Sequence, residues 1–254
     1  MRYDPGMGIT IHYELHSDHH SRAEATNALK LLREHAVSSS FLKVTELEVW
    51  DDERVSELKR DDSDIRQRGA AVLLSQASAY ACSEDFVREF GEDCMQRVEP
   101  DEFVRFTIYP GEGCETAAIG LSRFPSTFIY EGREWPTGLS VWHWHSFCKT
   151  QFAANPKCGG IDHFLKCHLG LINFFDFADE LGILRRVGDD SGFWESRDEL
   201  RLRESVEEMN RMIAAIAGSL RDAAPEPESK QVQSPIFDYP NFEHLEADGR
   251  DSEA

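Results

Sequence analysis

The sequence predicts an α+β fold, a two-layer sandwich. Two β-α-β units in a pseudo-duplicated, ferredoxin-like layout set helices on one face of a mixed sheet, and a long C-terminal helix follows. Three observations predict it. Period-two alternation over Gly8–His16 and Trp142–Phe152 marks strands with one apolar and one polar face. Each is followed by an apolar stripe of helical period and then by a second strand running into an acidic pair, Asp51-Asp52 or Asp189-Asp190. Gly/Pro-rich or charged stretches separate these segments, as turns and connections require.

In the first strand Ile9, Ile11, Tyr13 and Leu15 form one face, and Thr10, His12, Glu14 and His16 the other. Ser21 with Glu24 three residues on is a capping box, in which each side chain satisfies a free backbone N–H of the other residue. It opens a helix with the stripe Ala25, Ala28, Leu29, Leu32 and Ala36, ended by Ser38-Ser39-Ser40. Leu42–Trp50 returns as a strand. Residues 51–100 read as a variable charged insertion, a loop with one or two short helices around the apolar patch Ala70–Ala81. Phe103–Tyr109 is a strand with Val104, Phe106 and Ile108 inward and Arg105, Thr107 and Tyr109 opposite. Pro110-Gly111-Glu112-Gly113 is turn chemistry, and Ala117–Phe124 and Thr127–Tyr130 are returning strands of a meander.

The second unit starts at Trp142. Gly159-Gly160 leads into a helix to about Leu181, with Ile161, Phe164, Leu165, His168, Leu171, Ile172, Phe175 and Ala178 on its apolar stripe. Gly182 ends it, and Ile183–Val187 is the next strand. Ser196 with Glu199 reads as a second capping box, opening a helix with Leu202, Val206, Met209, Ile213, Ile216 and Leu220. One domain is expected over residues 1–222. Residues 223–254 read as a disordered acidic tail, with Ile236–Pro240 as a short docking motif.

Composition narrows function by exclusion. A net charge of −20 on 254 residues argues against nucleic acid and against an anionic membrane, since both need clustered Lys and Arg. No apolar run approaches the length of a membrane helix, and the N-terminus lacks an apolar signal segment. Six cysteines without a C-x-x-C spacing fit free thiols in a reducing, cytoplasmic setting. Four segments carry a resemblance: G-I-T-I-H-Y (Gly8–Tyr13), P-G-E-G-C-E (Pro110–Glu115), F-C-K-T-Q-F-A (Phe147–Ala153) and D-D-S-G-F-W-E-S-R-D (Asp189–Asp198). Together they resemble a family of uncharacterised bacterial proteins over most of the chain before Ala223. The resemblance implies a cytosolic α/β setting and brings no activity with it.

The Trp142–Phe152 strand is the first candidate site. Its even positions, Trp142, Trp144, Ser146, Cys148, Thr150 and Phe152, are mostly core residues, and its odd positions, His143, His145, Phe147, Lys149 and Gln151, belong to a polar face. His143 and His145 stand at H-x-H spacing, with His12, His16, His163 or His168 as further zinc ligands. Two ligands are too few, and polar histidines on a half-exposed strand are the favoured reading. His163 and Cys167 form a chelating i, i+4 pair, whereas His168 reads as a satisfied core histidine. Cys148 cannot use Lys149 as its cation, because neighbours on a strand point opposite ways.

Lys149 and Gln151, with the turn Asp190-Ser191-Gly192, form a candidate anion site that Glu195, Asp198 and Glu199 discount. Glu112, Glu115, Asp190 and Glu195 are candidate acid/base carboxylates with solvated turns as the bland alternative. Trp194 is either a stacking wall or a hydrophobic staple onto Leu200. The leading expectation is a non-catalytic binding or interaction module, with a protein or small-molecule partner for which the charge suits a basic surface. No cofactor is expected. The alternatives are a metal-assisted hydrolase built on His143 and His145, and an acidic inhibitor or immunity-type protein.

Overall fold

The computed structural model describes residues 8–18, 21–60, 64–81, 83–91, 94–139, 142–223 and 233–251. Its centre is a seven-stranded sheet. β1 (Thr10–Ser17) lies between β11 (Leu184–Asp189) and β10 (Trp142–Lys149). Beyond β10 come β7 (Ala117–Arg123) and β6 (Glu102–Tyr109). The expected strand over Leu42–Trp50 is two short strands, β2 (Lys43–Val44) and β3 (Glu48–Trp50), each paired with part of β6.

The sheet is not mixed: each of its hydrogen-bonded strand pairs is antiparallel. The reason is topological. β10 and β11 both run opposite to β1, so the unit formed by β10, α5 (Gly160–Glu180) and β11 straddles β1 instead of pairing its own strands. β1 and β2, joined through α1 (Arg22–Ser38), are separated by three strands.

Helix α1 starts as its sequence requires. Ser21 Oγ accepts the Glu24 N–H, and the Glu24 carboxylate accepts the Ser21 N–H, which satisfies donors left free in the first turn. Ala25, Leu29, Leu32 and Ala36 are buried. Helix α5 packs beside α1, bringing Phe175 to 4.6 Å from Tyr13 and Phe174 to 6.4 Å from Phe106, measured between ring centroids. This layer and the sheet enclose the main core.

The described residues between 51 and 100 are part of the fold. They contain α2 (Asp52–Arg60), α3 (Asp64–Ala77), the β4–β5 pair (Ala79–Tyr80 with Arg97–Val98) and α4 (Glu84–Phe90). Helix α3 packs against β7 and β10, and Arg105, expected on an open face, is buried and donates to Gln76 Oε1 at 2.6 Å. β6 and β7 are therefore buried along both faces, whereas β1 alternates. Thr127–Tyr130 does not return to the main sheet. It is β8 of a separate hairpin with β9 (Arg133–Pro136), where Phe86, Phe90, Phe128, Tyr130 and Trp135 form an aromatic cluster.

The C-terminal half departs from expectation in two places. Helix α6 (Phe193–Ser196) is followed by Arg197 at positive φ, and α7 (Glu199–Ala223) is capped by Asp198, whose Oδ1 accepts the N–H groups of Leu200 and Arg201. Ser196 is not that cap. The described part of the expected disordered tail folds back on α7 as a 3-10 turn (Pro235–Asp238) and α8 (Phe242–Asp251). Ile236, Tyr239 and Phe242 are buried against Ala214 and Ala217, and burial raises the Tyr239 hydroxyl to about 12. Close approach requires small residues: a Cβ on Gly249 would stand 2.3 Å from the Arg211 carbonyl oxygen.

Candidate functional site

The roof over β6, β7 and part of β10 leaves one side of β11, β1 and the rest of β10 open. Register places Glu14 opposite His145, His12 opposite Phe147 and His16 opposite His143. Directly paired residues project to the same side, so the odd positions of β10 and the even positions of β1 share this face. Trp142, Trp144 and Cys148 are buried on the other side, while His145 is exposed and Phe147 is 50% exposed, its ring 5.8 Å from that of His12. Burial lowers the His12 pKa, with Asp190 opposing and His145 reinforcing the shift.

At the far end of this face His143 is paired with His16 on one side and with Ser122 of β7 on the other. Burial pushes the His143 pKa down to about 4 against the pull of Glu14, so the ring is neutral at pH 7. Among the described residues, His16 Nδ1, His143 Nδ1 and Ser122 Oγ are buried atoms with no hydrogen-bond partner. Three adjacent strands thus set three buried polar atoms side by side, Ser122 fully enclosed, His143 nearly so and His16 half-buried. No group of three or more His, Cys, Asp and Glu side chains among the described residues is arranged to hold a metal.

The remaining expected site residues are scattered. Lys149 places its ammonium 5.0 Å from the centre of the Phe152 ring, and its backbone N–H donates to Glu115 Oε2. Asp190 accepts the Thr10 N–H at the same end of β1. Gln151 is not on the polar face. The strand ends at Lys149 and a 3-10 turn (Gln151–Ala154) begins, so the alternation stops there. Gln151 is buried, donating to Asn210 Oδ1 at 2.7 Å and accepting the Ile9 N–H. Trp194 lies under the Arg197 guanidinium at 4.5 Å and packs on the core edge; Leu200 is 74% exposed, so no staple joins them. Glu195 is exposed.

A second polar cluster is sealed in the core. His168 Nε2 is 3.2 Å from Asp189 Oδ2 and its Nδ1 is 3.0 Å from Thr150 Oγ1. A carboxylate only accepts, so His168 Nε2 carries a hydrogen and donates to Asp189, while Nδ1 pairs with the Thr150 hydroxyl. Asp189 also accepts from Ser191 N–H and O–H and from the Trp194 N–H. Burial alone would raise the Asp189 pKa, yet the His168 and Ser191 hydrogen bonds hold it below the ordinary value. Both ionisable side chains are fully buried, so this constellation anchors β11 to α5.

A third cluster lies under the Pro110–Cys114 turn. His163 Nε2 is 3.0 Å from the Glu112 carbonyl oxygen and 3.6 Å from Cys167 Sγ. The i, i+4 spacing of His163 and Cys167 was visible in sequence, but the turn whose Gly111 rests on both is a tertiary contact. Comparison of the chain with protein-family models, curated proteins and solved structures finds no match.

Proposed function

We propose that this protein is a non-catalytic binding module that works through the open face of β11, β1 and β10. The observation that carries this reading is the row His16–His143–Ser122. An unpaired buried polar atom costs about 1–3 kcal/mol, which a ligand carrying its own donors and acceptors offsets on binding. Neutral imidazole and hydroxyl groups match an amide or hydroxyl better than a phosphate. The four-residue step from His143 to Phe147 spans about 13 Å of strand, room for an extended peptide-like ligand with an apolar group on Phe147 and His12. Glu14, His145, Arg185 and Arg186 supply polar neighbours. The split of the second unit around β1 supports reading the frame as ferredoxin-like. Among the described residues no group of three possible ligands includes His143 and His145, so nothing there favours a metal-assisted hydrolase.

The test is titration of isotope-labelled protein with N-acetylglycinamide and a capped Gln-Ala-Ala-Phe peptide. Resonances of His16, Ser122, His143 and Phe147 are expected to shift, and Ser122→Ala and His143→Phe to abolish the shifts. No shift at millimolar probe, or shifts unchanged in both variants, rejects the reading.

A further inference from the structure

We propose that the cleft between α4 and β9 is a second binding site, which takes the guanidinium of an arginine side chain presented by a basic peptide segment. This does not rest on the sheet-face reading, and the two sites share no residue. The cleft has a volume of about 490 Å³, and its walls include Asp85, Arg88, Glu89, Arg133, Glu134 and Trp135.

Two independent observations point to a ligand. The first is a donor without an acceptor. Trp135 is 4% exposed, and among the described residues its Nε1 is a buried atom with no hydrogen-bond partner. An indole N–H only donates, so this wall of the cleft needs an acceptor, which a peptide carbonyl supplies. The second is a cation already seated on the ring. Alternation along β9 puts Arg133 and Trp135 on one face of the strand. The Arg133 guanidinium carbon stands 4.1 Å from the centre of the indole ring, and its Nη1 lies 3.5 Å from Glu89 Oε2. Phe86 and Phe90 meet the same indole edge-on, each at 5.5 Å between centroids, which fixes the ring.

A flat cation over an indole face, with a carboxylate at its fork, is the arrangement that selects a guanidinium. Arg133 fills it loosely: its side chain is 66% exposed and that of Glu89 51%, and exposed pairs hold weakly. Arg133 is therefore an internal stand-in that an incoming arginine displaces. The other charges fit this exchange. Arg88 is paired with Asp85 at 3.2 Å, and Glu134 accepts the Thr127 hydroxyl at 2.6 Å, which leaves Glu89 as the carboxylate beside the ring. An anionic ligand would meet three carboxylates in a chain of net charge −20. A ligand arginine meets Glu89 and the ring face, and its own backbone carbonyl accepts the Trp135 N–H.

The experiment follows the Trp135 indole N–H resonance of the isotope-labelled full chain, assigned with Trp135→Phe. The probes are N-acetylargininamide and its neutral isostere N-acetylcitrullinamide. The arginine probe is expected to shift the resonance and the citrulline probe to leave it in place. Glu89→Gln is expected to weaken the arginine titration about fivefold, the effect of losing one exposed ion pair. Arg133→Ala is expected to tighten it about threefold, because apparent affinity scales with the fraction of molecules whose ring is uncovered. Both side chains are exposed, so melting temperatures are expected to stay at the wild-type value. Four results overturn the proposal: no shift at millimolar arginine probe in the wild type and Arg133→Ala, equal shifts with the citrulline probe, an unchanged titration in Glu89→Gln, or weaker binding in Arg133→Ala.

Discussion

Acidification tests the reading of His143 as a neutral, buried ring. Burial lowers its pKa from 6.5 to about 4, so between those values the unfolded chain binds a proton that the folded chain refuses. The stability it contributes is present above the unfolded pKa and is lost as pH falls toward the folded pKa. Integrating that difference from pH 7 to pH 5 gives a loss of about 2 kcal/mol, and about 3 kcal/mol by pH 4. Other groups titrate in this range, so the quantity to measure is a difference between proteins. Urea midpoints are followed at pH 7, 6, 5 and 4 for the wild type and for His143→Gln, which carries no titratable group there. The wild type is expected to lose about 2 kcal/mol more than the variant between pH 7 and pH 5. Equal losses would refute the argument, because the ring would then be as free to take a proton as in the unfolded chain. A larger loss in the variant would place the attraction of Glu14 above desolvation.

Three further outcomes follow from burial. Asp189→Asn is expected to destabilise by about 3–5 kcal/mol in chemical denaturation, since it breaks a buried pair and leaves His168 partnered by an amide; a change under 1 kcal/mol would show that His168 is satisfied without the carboxylate. Trp144→Ala should cost about 3–5 kcal/mol, as its ring is 1% exposed and its indole N–H donates to the Ala118 carbonyl at 2.7 Å. Phe242→Ala should cost about 2–4 kcal/mol and raise protease cleavage after residue 223, because α8 is held on α7 by that cluster.

What the sequence made legible was local periodicity, and what it hid was long-range partnership. The two faces of β10 follow from alternation: Trp142, Trp144 and Cys148 are buried while His145 and Phe147 are exposed. Gln151 fails because alternation holds only while the chain stays extended, and the 3-10 turn after Thr150 rotates it into the core. The capping box at Ser21 is a contact between residues three apart and could be read directly; the cap on α7 could not, because Arg197 at φ +54° shifts the start to Asp198. Charge concealed structure in two segments. The described part of residues 51–100 roofs the sheet through a few apolar positions such as Leu74 and Ala77, and the described part of the acidic tail docks through Ile236, Tyr239 and Phe242. Composition averages over such positions, whereas packing depends on their spacing. Of the acidic pair Asp189-Asp190, sequence singled out Asp190 as a candidate carboxylate and left Asp189 without a role. Only the strand face decides that Asp189 enters the core.

The contrast between Asp189 and His143 bears on where binding belongs. Both are buried polar side chains on the strands flanking β1. Asp189 receives hydrogen bonds from His168, Ser191 and Trp194, so its burial is compensated and its role is to hold elements together. His143, beside His16 and Ser122, has its Nδ1 atom unpaired, whereas the Asp189 carboxylate on the other flank of β1 is satisfied. A fold able to surround Asp189 with donors could have placed apolar residues at the row, at no cost in hydrogen bonds. Two imidazoles and a hydroxyl there cost stability in the free protein, a cost that the proposed ligand would offset. The row lies where the open face of β1 and β10 meets the covered strand β7, and that boundary supports the binding face proposed above over the sealed triad at His168.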